Sequence, residues 1–284
     1  MRGRRARTPE RADLGAPLTH HLVTVPLDGR DGDVLSGELW SLGAVGVEEL
    51  AGGLRAAFTD AAAATAARDR LAPGAAVEAV ADDFGLDEHR DRLTVERAGR
   101  FAIHPPWLAP PDGYIGIEID PGHAFGSGSH PSTRLALMLL ATVVESGMLV
   151  ADIGCGTGVL AIAAARLEAT VIAVDTDPAA VAATRANVAA NRVAPDVDVR
   201  HGSTERISEM VDVAVVNVTI DGHEALGPTV PPAPIVVVSG ILATQIDRAA
   251  TAHRRVVAER VDEGDWVAAV LRRPSGYGGA GAPA

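Results

Sequence analysis

Two carboxylates and three glycines are spaced so that they can act together. Within Met148 to Asp175, MLVADIGCGTGVLAIAAARLEATVIAVD, Asp152 precedes Gly154, Gly156 and Gly158, and Asp175 closes the stretch. The glycines let the backbone turn tightly and approach a ligand where a side chain would collide. A carboxylate at the tip of the second strand can accept both hydroxyls of a ribose, so the group reads as a nucleoside-binding turn. Three elements must position it: a short apolar strand ending at Asp152, an alanine-rich helix from about Val159 to Glu168, and a buried strand ending at Asp175. Strand, glycine turn, helix and acid-tipped strand make a mononucleotide half-fold. A dinucleotide fingerprint needs its third glycine at 159, where Val159 stands.

The Asp-x-Gly-x-Gly-x-Gly form resembles motif I of class I S-adenosylmethionine-dependent methyltransferases. There the turn wraps a methionine moiety and no pyrophosphate has to reach a helix N-terminus.

Composition narrows the classes. The chain has 284 residues, enough for one large domain or two small ones, and a formal net charge of −12. All 25 of its Lys+Arg residues are arginine, a codon-composition bias. With this charge, stable nucleic-acid binding is not expected, whereas a basic protein or amine would be drawn in. The single cysteine, Cys155, excludes an internal disulfide and a cysteine zinc cage, and it fits the turn as a small loop residue. No apolar run approaches a membrane span, and the start lacks a signal-peptide core. A cytoplasmic, monomeric protein without membrane association is expected.

In chain order, residues 1–17 form an arginine-rich leader without periodicity, expected to be disordered. Residues 18–97 pattern as β, α, β, β, α, β: strands at LTHHLVTVPL, Val45 to Leu50, Leu54 to Phe58, Val77 to Ala81 and Leu93 to Arg97, and helices at Asp31 to Leu42 and Asp60 to Leu71. That order suggests a small ferredoxin-like sandwich suited to gripping a substrate. Residues 98–115 hold four of the 18 prolines and read as a stiff linker. From 116 to 273 an α/β domain is expected, with strands at Ile115 to Ile119, Val197 to Arg200, Val211 to Asn217 and Ile235 to Ser239, a helix from Pro178 to Asn191, and a last hairpin of Arg255 to Glu259 with Trp266 to Leu271. Between the first of these strands and a helix starting near Pro131, capped by Ser129 or His130, lies a loop of Gly, Ser and Pro suited to a lid, with Phe125 as an apolar cover and Thr133 as a hydrogen-bond partner. His201-Gly202-Ser203 follows the third strand, where an adenine would sit. His104, His123, His130 and His201 share no ligand spacing, and no metal site is expected. A glycine-rich tail, 274–284, ends the chain.

The run DPGHAFGSGSHPST from Asp120 to Thr133, followed by DIGCGTGVLAIA from Asp152 to Ala163, is similar to the ribosomal protein L11 methyltransferase (PrmA-type) family. The similarity extends through Val174-Asp175-Thr176-Asp177-Pro178, Asn217, Ser239-Gly240-Ile241-Leu242 and Glu263-Gly264-Asp265-Trp266-Val267, covering roughly Val23 to Arg272. It implies a Rossmann-like class I methyltransferase domain with a mostly parallel seven-stranded sheet, preceded by the ferredoxin-like domain. It also implies S-adenosyl-L-methionine as cofactor, held by Phe125, Thr133, Asp152, Gly154, Gly156, Gly158, Asp175 and Asn217. Asn217 matches the asparagine beside the transferable methyl and is the catalytic candidate. The family's usual Ile or Leu followed by a small or aromatic residue is replaced after it by Val218, Thr219 and Ile220, and Ser127 and Ser129 replace threonine-like residues.

The implied reaction is N-methylation of lysine side chains or the N-terminal amine of ribosomal protein L11. A lysine amine with a pKa of about 10.4 must first lose its proton, which burial beside a cationic sulfur favours. Asn217 and nearby carbonyls can hold and aim the amine, and Asp221, His223 and Glu224 are candidates to receive the proton. Two alternatives remain at this level: a methyltransferase for another protein lysine or a small amine, and a cofactor-binding module without transfer activity.

Overall fold

A computed structural model describes residues 19–30, 32–44, 46–50, 52–81, 94–120 and 130–274. The expected leader, most of the expected lid with Phe125 and His123, and all but the first residue of the tail lie outside the described residues. The chain divides into two compact units at residues 92 and 93.

The first unit runs β1 (Thr19–Pro26), α1 (Gly32–Ser41), β2 (Gly46–Leu50), β3 (Gly53–Phe58), α2 (Ala61–Leu71) and β4 (Val77–Ala81). Its four-stranded sheet has the order β2-β3-β1-β4, with every neighbouring pair antiparallel. Leu35 and Leu39 lie one helical turn apart on α1 and are buried, as are Ala64, Ala67 and Leu71 along one face of α2. Asp60 caps α2 by accepting from the Ala62 N–H at 3.0 Å. These faces close over Val23, Val25, Leu54, Ala56 and Phe58.

The second unit begins with a three-stranded sheet, β5 (Glu96–Ala98), β6 (Phe101–His104) and β7 (Ile115–Glu118). This corrects two expectations. The strand placed at Leu93 to Arg97 does not complete the N-terminal sheet, because Glu96–Ala98 pairs antiparallel with Phe101–His104. Nor do residues 98–115 form a plain linker, because Phe101–His104 pairs parallel with Ile115–Glu118. Burial is the physical reason: Phe101, Ile103 and Ile117 are core residues, and the four prolines are confined to the 105–114 crossover, where no ladder N–H is required.

The remaining elements are α3 (Pro131–Val143), β8 (Leu149–Ile153), α4 (Val159–Arg166), β9 (Thr170–Asp175), α5 (Pro178–Ala190), β10 (Val197–His201), β11 (Val213–Asn217), α6 (Ile220–Leu226), β12 (Ile235–Leu242), α7 (Ile246–Ala252), β13 (Val256–Glu263) and β14 (Trp266–Arg272). They build a seven-stranded sheet in the order β10-β9-β8-β11-β12-β14-β13. The first five strands are parallel, and β14 and β13 are antiparallel additions. Near-continuous apolar runs such as Val213–Val216 and Ile235–Val238 are buried, as strands covered on both faces require. The chain order reverses between β8 and β11, which places a ligand crevice outside their carboxyl ends. Parallel register sets His201 opposite Asp175 and Asn217 opposite Ser239 at that edge.

Candidate functional site

The glycine turn leaves β8 with all three glycines left-handed: φ is 77° at Gly154, 55° at Gly156 and 82° at Gly158. Gly158 also meets a steric demand, since a Cβ there would lie 2.7 Å from the Thr184 methyl on α5. That close approach lets Thr184 donate to the Gly156 carbonyl at 2.8 Å and accept from the Cys155 thiol at 3.3 Å. Burial raises the Cys155 thiol pKa well above its ordinary range, as do the nearby carboxylates, so this thiol packs and does not attack.

The two acids flank the turn differently. Asp152 is 1% exposed, and its Oδ2 accepts the Ala161 N–H of α4 at 2.9 Å, tying strand to helix beneath the turn. Its Oδ1 has no partner among the described residues. Burial pushes the Asp152 carboxyl up to about 7; the Ala161 N–H opposes the rise and Asp175 adds to it. Asp175 is half-buried at the strand tip, where Oδ2 accepts from Gly156 N and Oδ1 from Asp177 N, both at 2.9 Å. His201 comes beside it: His201 Nε2 lies 3.0 Å from Thr176 O, and Gly202 N donates to Asp175 O at 2.9 Å. The 201–203 corner therefore adjoins the acid.

Two asparagines, Asn187 on α5 and Asn191 at its C-cap, hold the other approach. Asn187 Nδ2 donates to Thr157 O of the turn at 2.9 Å, and its Oδ1 accepts from Asp120 N at 3.3 Å, where the chain enters 121–129. Asn191 pairs with both backbone groups of Glu118. Neither asparagine was singled out from the sequence. Their signal is faint, two amides four residues apart at the end and C-cap of an alanine-rich helix.

Across the crevice, Asn217 Nδ2 lies 3.5 Å from Thr133 Oγ1, joining positions 84 residues apart. Thr133 belongs to the first turn of α3, which His130 caps by accepting from Ser132 N at 3.2 Å. His130 also meets the Trp266 ring edge-on at 4.4 Å. Ser239 fastens the same turn, donating its hydroxyl to Ser132 O at 2.8 Å. Arg134 pairs with Glu263 at the end of β13, so Asn217, Ser239, Glu263 and Trp266 together anchor the start of α3 to β11, β12, β13 and β14.

Of the three candidate proton acceptors, His223 is corrected: it is fully buried, with both ring nitrogens committed to Ser239 O and His253. Glu224 pairs with Arg248 at 2.9 Å, while Asp221 is exposed in the first turn of α6. His104, His130 and His201 serve three separate local structures. A pocket of about 410 Å³ lined by His104, Pro110, Gly116, Glu118, Arg166 and Asn191 lies at the C-terminal ends of α4 and α5, away from the glycine turn.

Residues 62–274 match the family "Ribosomal protein L11 methyltransferase (PrmA)". The chain belongs to this family. Relatives in it include the ribosomal protein L11 methyltransferase of Nitratiruptor sp., 32% identical over 201 residues, covering 68% of this chain and 70% of that one. That of Pelotomaculum thermopropionicum is 37% identical over 219 residues, covering 72% and 71%. Among solved structures, the ribosomal protein L11 methylase of Lactobacillus delbrueckii subsp. bulgaricus matches with a TM-score of 0.53 and 28% identity, covering 61% of this chain and 95% of that one. This L11 methyltransferase family member thus has the Rossmann-like fold that its motifs implied, and its activity class is methyl transfer.

Proposed function

We propose that this chain is an S-adenosyl-L-methionine-dependent N-methyltransferase acting on lysine side chains or the N-terminal amine of ribosomal protein L11. The observation that carries the reading is the meeting of Asn217 and Thr133 at the same strand edge as the left-handed glycine turn and Asp175. The residues fit the cofactor. Three glycines with positive φ and the buried Cys155 and Thr157 leave the turn's backbone uncovered, and Asp175 stands at the strand tip where a ribose would meet it. Gly154, Gly156 and Gly158 would take the methionine part, with Thr133, Asn217 and Phe125 closing over it. Asp152, buried beneath, would act through the turn it holds to α4. When bound, the cofactor supplies a methyl group activated on a cationic sulfur.

The chain's own residues then have to hold an amine and strip its proton. The Asn217 side-chain oxygen accepts from the amine and aims its lone pair, so that transfer becomes effectively unimolecular. Apolar surroundings favour the neutral amine over the ammonium. We assign the released proton to solvent, with Asp221, exposed and four residues after Asn217, as the candidate carrier. The net charge of −12 favours a basic protein substrate, and we assign its grip to the first unit.

The test is incubation of the purified protein with labelled cofactor and ribosomal proteins from a strain lacking this gene. Label on L11 in whole methyl steps is expected. Cofactor binding with no label on any ribosomal protein would overturn the substrate assignment.

A further inference from the structure

Behind Asn217 two histidines stand in an otherwise apolar layer. His223 on α6 is 0% exposed, and His253, which ends α7, is 6% exposed. Their rings meet edge to face at 5.3 Å. His223 Nε2 lies 2.8 Å from Ser239 O, and a carbonyl only accepts, so the proton of that ring is on Nε2. His223 Nδ1 lies 3.0 Å from His253 Nε2. Burial lowers the pKa of both rings, and for His253 the neighbouring His223 and Arg255 lower it further, to about 4. Both rings are then neutral near pH 7, and the direction of the chain is fixed. His253 Nε2–H donates to His223 Nδ1, and His223 Nε2–H donates to Ser239 O.

Ser239 is the hub of this side of the site. Its carbonyl accepts the Val218 N–H at 3.2 Å in addition to His223, and its hydroxyl holds Ser132 beside Thr133. Val218 directly follows Asn217. The contact is tight: Gly240 has φ +81°, and a Cβ there would lie 2.4 Å from Val218 O. The Ser239 carbonyl cannot shift without moving the backbone that carries Asn217. Apolar side chains would fill this layer without the penalty of leaving His253 Nδ1 buried and unpartnered among the described residues. Packing alone does not account for two imidazoles here.

We infer that His223, held in its Nε2–H tautomer by His253, is a positioning residue for methyl transfer, fixing the Ser239 carbonyl and through it the Val218 amide and the Asn217 side chain. The inference rests on the proposed role of Asn217.

Three measurements on the full chain test it. Long-range nitrogen–proton NMR of the wild type near pH 7 should find both rings neutral with Nε2 protonated; an Nδ1–H tautomer or an imidazolium at His223 overturns the inference. Hydrogen exchange should find the Val218 amide protected in the wild type and opened by about tenfold in His223→Leu, which keeps bulk but removes the donor. With L11 as substrate, His223→Leu should lower kcat by about tenfold while the cofactor Kd changes little, and His223→Gln, which restores an N–H in reach of Ser239 O, should recover most of the loss. Equal losses in Leu and Gln variants, or wild-type kcat and Val218 protection in the Leu variant, overturn it. If the wild type methylates no L11, the substrate assignment fails, while the tautomers and the Val218 amide still decide the positioning.

Discussion

The two banks of the crevice are built by different means. On the β8 bank, the turn from Gly154 to Gly158 offers backbone and few side-chain atoms, and its acids are tied to N–H groups of the turn, the following helix and the next strand tip. On the β11 bank, the site consists of side chains brought from far apart: Asn217 to Thr133, Ser239 to Ser132, His223 to His253. Under the proposed function, the cofactor would be met by a locally encoded turn and the reacting amine by a tertiary network. The departures from the family pattern at Val218, Thr219 and Ile220 fall on the second bank.

The largest expected contrast is in pH-dependent stability without cofactor. Asp152 has its folded pKa raised from 3.8 to about 7, so the fold holds its proton better than the unfolded chain does. Stability from this group is full below about pH 4 and is lost as pH rises towards 7, by about 4 kcal/mol in all, at about 1.4 kcal/mol per unit. His253 on the opposite bank has its folded pKa lowered from 6.5 to about 4. Its stability is full above pH 6.5 and is lost as pH falls towards 4, by about 3 kcal/mol. Denaturant titrations across pH should therefore find Asp152→Asn flattening the rise of instability towards pH 7 and His253→Phe flattening the fall towards pH 4. A shared pH profile for both variants would break the contrast.

Next in size is the split between transfer and binding. Asn217→Ala should lower kcat about 100- to 1000-fold, the loss of a donor or acceptor aimed at the reacting group, with little change in cofactor Kd. Asp175→Ala should do the reverse, weakening the cofactor by about tenfold or more while saturating cofactor restores most of kcat. Calorimetry and steady-state rates on the two proteins check both halves. Losses of the same kind in both variants would mean that the banks do not divide the work.

The same division explains what could be read in the sequence. The glycine spacing, both acids and the order of strands around them are short-range signals, and the parallel sheet follows from buried apolar runs such as Val213–Val216. Asn217 was placed by family resemblance, since nothing in its own neighbourhood marks it. His223 read as a candidate proton acceptor because the sequence does not indicate that α6 turns it inward to a carbonyl 16 residues later and a ring 30 residues later. The 98–115 stretch read as a linker because its prolines are conspicuous, whereas the alternation of Phe101 and Ile103 that builds β6 spans only four residues. The helices Ile220–Leu226 and Ile246–Ala252, each of seven residues, are too short for a periodic signal.

The smallest expected effect concerns the hydrogen bond between Asn217 and Thr133 of α3. At 3.5 Å the Asn217–Thr133 hydrogen bond is at the outer edge of useful geometry, so in the free protein it contributes well under about 1 kcal/mol. Thr133→Val keeps the shape of a residue that is 1% exposed and removes only the hydroxyl. If α3 acts as a wall, the variant should lose less than about fivefold in kcat and nothing in thermal stability. Should kcat fall by about a hundredfold, the hydroxyl must move closer to Asn217 in the loaded enzyme than it stands in the free one, since catalytic hydrogen bonds often tighten only on binding. Thr133 would then take part in the reaction with Asn217 and not only shape the β11 bank. The kinetics of this single variant, compared with Asn217→Ala, locate where the second bank begins.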